Sequence, residues 1–151
     1  MQFKETIGQE AVKTQLVEMV QHNRLSHALL FLGREGNGSL ALAMAFAQFL
    51  VCEKINQKSD PGPSLFGEAA SDEPRAFRND SCGVCPSCQK AAQLIHPDIH
   101  FSYPTVTKKP GEVPIATDFI SEWREFAKLN PFGNMFDWIE LIKEKENSQG
   151  K

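Results

Sequence analysis

Residues 24–52, RLSHALLFLGREGNGSLALAMAFAQFLVC, read as a strand, a glycine-rich turn and a helix. The short apolar run at 27–32 ends at Gly33, and an alanine- and leucine-rich run follows the turn. That run is apolar nearly all round, as expected of a helix buried against a parallel sheet on one side and other elements on the other. Between them, GREGNGSL at 33–40 has the spacing of the phosphate loop, G-x-x-x-x-G-K-[ST], in the strand-to-helix setting that motif requires. Gly33, Gly36 and Gly38, with Arg34, Glu35 and Asn37 between them, permit a tight turn with backbone N–H groups facing an anion.

Two side chains of the motif are missing. Ser39 stands where the lysine belongs, and Leu40 where a hydroxyl would ligate magnesium. Two unit charges about 4 Å apart interact by about 4 kcal/mol at an effective dielectric near 20, so the lost lysine alone weakens phosphate binding by up to about a thousandfold. No later apolar run ends in paired acids to hold a second metal contact. The loop is therefore expected either to be a plain strand-to-helix connection or to bind nucleotide or another anion weakly, without hydrolysis.

The helix ends at Cys52, and after 29 intervening residues comes C-x2-C-x2-C, formed by Cys82, Cys85 and Cys88. Four thiolates make a full tetrahedral set for zinc, and Gly83 and Pro86 favour the tight backbone that lets them converge. A closed four-cysteine site has no place for a reacting water, so its expected role is structural, with one zinc per chain. Two alternatives stay open: His96 as fourth ligand in place of Cys52, and a redox pair of Cys82 with Cys85, though the thioredoxin-like setting for the latter is lacking.

Outside this stretch, Val12, Leu16, Met19 and Val20 recur at helical spacing within 8–22. Residues 55–80 are rich in Pro, Gly, Ser and acids and read as a surface loop. Helical patterns follow at 89–95, 118–129 and 136–146, a strand pattern at 99–103 (Ile99, Phe101, Tyr103), and a polar loop at 105–114. Trp123, Phe126, Phe132, Phe136 and Trp138 are candidate core; His22 and His27 read as surface or packing residues.

The 151 residues, 41% of them hydrophobic, suffice for one core. The net charge of -3 is spread as 0, -2 and -1 over residues 1–50, 51–100 and 101–151, so no basic arm offers direct nucleic-acid binding. The N-terminus carries no secretory pattern. The longest apolar stretch, 40–52, is broken by Gln48 and short of the roughly 20 residues of a membrane span. A cytoplasmic location is expected, where four cysteines are metal ligands or redox groups rather than disulfides.

FKETIGQEAV, the loop-and-helix stretch, CGVCPSC and HPDIHF, in this order over residues 3–103, closely resemble the start of bacterial DNA polymerase III clamp-loader subunits of the gamma/tau and delta-prime type. The resemblance implies an α/β, P-loop AAA+ domain with a parallel sheet and flanking helices, of which 1–151 is the N-terminal part. It also implies a zinc module inserted at 52–96 and places Ile7, Gly8 and Gln9 near the nucleotide base. Ser39 and Leu40 depart from the ATPase pattern and align the chain with the delta-prime type, a rigid stator. The implied partners are gamma/tau and delta subunits, with the sliding clamp and primed DNA reached through the assembly; the alternative is an active or weakly active gamma/tau-type ATPase.

Overall fold

A computed structural model describes residues 1–56, 79–107, 111 and 113–149. Most of the expected loop at 55–80, and residues 108–110 and 112 of the loop at 105–114, lie outside the described residues. A 3-10 turn, Phe3–Glu5, leads to α1 (Glu10–Gln21), α2 (Ser39–Val51) and α3 (Glu53–Asn56). The short α4 (Pro86–Ala92) follows, then a second 3-10 turn (Ala116–Phe119) running into α5 (Ile120–Leu129), and α6 (Met135–Gln149).

Hydrophobic α2 is the axis of the structure. One side carries Leu42, Ala45, Phe46 and Phe49 into a cluster with Phe3 of the first turn and Leu16 and Val17 of α1. Another side sends Met44 into an aromatic cluster with Tyr103, Phe119, Trp123, Phe126, Trp138 and Ile142. A helix with no polar face is stable here because two cores claim it.

Trp123 is the hub of the aromatic cluster. Tyr103 stacks on it at 4.5 Å and 14°, and Trp138 meets it edge-on at 5.3 Å and 88°. Two polar tips find carbonyls at the cluster's edge, Tyr103 Oη donating to that of Ala116 and Trp138 Nε1 to that of Pro104, both at 2.7 Å, while the buried Trp123 Nε1 has no hydrogen-bond partner among the described residues. Of the aromatics expected in the core, Trp123, Phe126 and Trp138 are buried, Phe132 is half-buried and Phe136 is exposed.

The parallel sheet is where structure and expectation part. Among the described residues there is no strand: 27–32 and 99–103 are irregular. A strand is held by the hydrogen bonds of its neighbours, and these two segments do not pair with each other. The period-two pattern behind the expectation is nevertheless present. Phe31 packs inward against Phe46, with ring centroids 6.2 Å apart, while Leu30 and Leu32 on either side are about as exposed as side chains become, 85% and 86%.

Candidate metal centre and phosphate-loop region

Cys52 ends α2 and is fully buried. Cys82 and Cys85 lie on the turn before α4, and Cys88 sits in its first turn. Cys85 is the cap of α4: its sulfur accepts the Cys88 amide at 3.4 Å, and Pro86 supplies a first helical residue that needs no hydrogen bond. Gly83, at φ +71°, turns the backbone between the first two of these cysteines. Ser87 Oγ donates to Glu53 Oε1 at 2.8 Å, tying α4 to α3.

The four sulfurs lie within 4.8 Å of one another. Cys82 Sγ and Cys88 Sγ are 3.8 Å apart, the edge of a tetrahedron whose corners are about 2.3 Å from a central zinc. Backbone amides add to the fit: Cys82 N donates to Cys52 Sγ at 3.3 Å, and Cys85 N to Cys82 Sγ at 3.4 Å. Burial pushes the Cys82 thiol up, but the amides of Cys85 and Val84 and the neighbouring sulfurs outweigh it and bring it down to about 6. Burial, joined by the Cys85 sulfur, pushes the Cys88 thiol up. A cation at the centre of the four sulfurs would favour the thiolate form of each. The donor set therefore fits a divalent, thiophilic ion in a closed site.

Of the two alternatives for this cluster, His96 is not among the gathered ligands, and its Nδ1 accepts the Asp98 amide at 3.2 Å. All four cysteines are free thiols.

The loop at 33–40 leads into α2 as its spacing predicts. Gly38 sits at φ +78°, and a Cβ there would come 3.0 Å from the Phe132 ring. Asn37 Oδ1 accepts the Ser39 amide at 3.2 Å, so a donor that a phosphate cradle would turn on its anion is already engaged. Leu40 packs against the aromatic cluster. A groove of about 260 Å³ runs beside the loop, lined by Gln9, Val12 and Met19 on the α1 side and by Leu30, Asn37 and Ser39 on the other. Of the three residues expected near a nucleotide base, Gln9 lines this groove, while Ile7 is 81% exposed. His22 and His27 are both exposed.

Sequence reasoning missed Gln48, Asp80 and Ser81. Gln48 and Ser81 are buried polar residues bonded to each other, Gln48 Nε2 to Ser81 Oγ at 3.0 Å. The one available signal is Gln48 itself, an amide inside an otherwise apolar helix.

The family model described as DNA polymerase III, delta subunit, matches residues 8–149. The chain belongs to this family. It is 30% identical over 121 residues to the DNA polymerase III subunit delta' of Pseudomonas aeruginosa, covering 80% of this chain and 30% of that one. It is 42% identical over 91 residues to the DNA polymerase III subunit tau/gamma of Haemophilus influenzae, covering 60% of this chain and 10% of that one. The chain thus spans under a third of the length of either relative. No solved structure matches. Membership makes it a clamp-loader-type subunit of DNA polymerase III, and among the described residues no helix is long and apolar enough to cross a membrane.

Proposed function

We propose that the chain serves the polymerase III clamp loader as a non-hydrolysing, stator-like component in the cytoplasm, helping to place a sliding clamp on primed DNA. The observation that carries this reading is the fate of the two missing phosphate-loop side chains. Ser39 brings no charge to a phosphate, and Leu40, in the metal-ligating position, is committed to the aromatic core. An isolated change at one position could be repaired by a neighbour. Here the second position has been given to packing.

In this reading the four thiolates of Cys52, Cys82, Cys85 and Cys88 hold one structural zinc, which cross-links the end of α2 to α4. Residues 27–32 and 99–103 are, in the same reading, strand-forming segments of an AAA+ sheet. The 42% identity to a tau/gamma subunit favours one competing reading, an active ATPase of that type.

Reconstitution with gamma/tau-type and delta-type subunits separates the two. The stator reading expects the chain to co-elute with them, and Ser39→Ala to leave the ATP turnover of the assembly unchanged. A fall of about tenfold or more on Ser39→Ala, the mark of a lost transition-state contact, would favour the ATPase reading. Failure to co-elute would count against both.

A further inference from the structure

The two residues that precede Cys82 hold the other end of the described chain. Asp80 Oδ1 accepts the Phe3 amide at 3.0 Å and the Ser81 amide at 2.7 Å, and Oδ2 accepts the Lys4 amide at 3.0 Å. Phe3 and Lys4 open the first 3-10 turn, where amides have no acceptor within the turn itself. An ionised carboxylate facing both is the strongest partner available to them. Ser81 continues the contact: its carbonyl accepts from Gln2 Nε2, and its hydroxyl accepts from Gln48 Nε2. Gln48 Oε1 accepts the amino group of Met1 at 2.7 Å. At Gly83 the backbone comes so near that a Cβ would lie 2.9 Å from the Gln2 side chain. Residues 80, 81 and 83 thus all engage the N-terminal turn, and Cys82 among them is bound by its amide to the Cys52 sulfur.

We propose that Asp80, with Ser81 and Gln48, is a positioning residue that couples occupancy of the four-cysteine site to the seating of the N-terminal turn. A gathered set of sulfurs fixes Cys82, and Cys82 fixes the carboxylate two residues earlier. When the ion leaves, Cys82 is free to part from Cys52, and the Phe3 and Lys4 amides lose their acceptor. The effect does not stop at the turn. The Thr6 carbonyl just after it accepts Lys13 Nζ at 2.8 Å, and Lys13 is a buried residue of α1, the helix that walls the groove beside the phosphate loop. Metal occupancy thereby reaches the loop region through hydrogen bonds rather than through α2 alone. The inference rests on the reading of the cysteines as metal ligands. The competing account is that Phe3, buried against Phe46 and Phe49, seats the turn by packing whatever the metal does.

The test is hydrogen exchange of the whole chain with cobalt(II) as the metal probe, since cobalt bound to thiolates reports its own binding by absorption. Exchange over residues 2–6 is compared with exchange in α5, whose buried Trp123, Phe126 and Ala127 belong to the aromatic cluster. Stripping the metal with a chelator is expected to speed exchange over 2–6 by about tenfold to a hundredfold, the worth of one or two charge-assisted hydrogen bonds, and to leave α5 unchanged. Cobalt-loaded Asp80→Ala is expected to exchange over 2–6 as the stripped wild type does, with Asp80→Asn, which keeps one acceptor oxygen, in between. Because coupling is reciprocal, Asp80→Ala is also expected to weaken cobalt affinity by the same factor. Slow exchange over 2–6 in stripped wild type, with a cobalt spectrum on loading, overturns the coupling and leaves the packing account. Absence of any cobalt–thiolate spectrum in wild type overturns the metal reading and the coupling together.

Discussion

Gly38 shows how much one position decides at the mouth of the loop. Its φ of +78° lies in the left-handed region, and any side chain would also press on the Phe132 ring at 3.0 Å. Gly38→Ala is expected to lower stability by about 1–2 kcal/mol from the backbone alone, read as a lower midpoint in urea unfolding. Tyr103→Phe removes the bond to the Ala116 carbonyl while keeping the ring stack, and about 1 kcal/mol is expected to go with it. The glycine requirement was legible in the sequence, because a turn motif is local. The destination of Leu40 was not: the sequence says what a leucine cannot ligate, and only folding says that it packs against the aromatic cluster. Asp80 was equally opaque, since its partners Phe3 and Lys4 lie 77 and 76 residues away and no periodicity links them.

The helices were the legible elements. α1, α5 and α6 carry apolar residues at helical spacing, and α2 announces itself by being apolar throughout. The 3-10 turn that precedes α5 shifts that helix's start from the expected 118 to Ile120, the usual uncertainty of helix ends. Strands were read from the same kind of pattern, yet a strand exists only with a partner, and pairing is not local. Phe31, half-buried between exposed Leu30 and Leu32, keeps the alternation and lacks the ladder. At this scale the aromatic cluster makes the sharpest prediction. Trp123 touches Phe101, Tyr103, Phe126 and Trp138 from its place in α5. Trp123→Ala is expected to lower stability by about 3–5 kcal/mol, measured by loss of near-ultraviolet circular dichroism at lower denaturant.

Across the whole molecule, two apolar clusters and one cluster of thiols meet on α2, and the thiols are where covalent chemistry enters. Cys52, at the end of that helix, is joined to the turn of Cys82 and Cys85 and to α4, so the metal reading makes a far-reaching demand. Each of Cys52→Ser, Cys82→Ser, Cys85→Ser and Cys88→Ser should lower metal affinity by about tenfold or more, since one of four ligands is lost. The convergence of these cysteines was legible because their spacing is a metal-binding pattern; the Gln48–Ser81 support beneath them was not.

The central claim is that the phosphate loop is kept for its shape and not for nucleotide. Titration calorimetry of the metal-loaded chain with ATP and magnesium measures this directly. The account predicts no magnesium-dependent binding in the micromolar range, with any anion association weak and lost on adding salt. Micromolar, magnesium-dependent binding of ATP would contradict it, and would mean that Ser39 and Leu40 do not prevent the loop from serving as a nucleotide site.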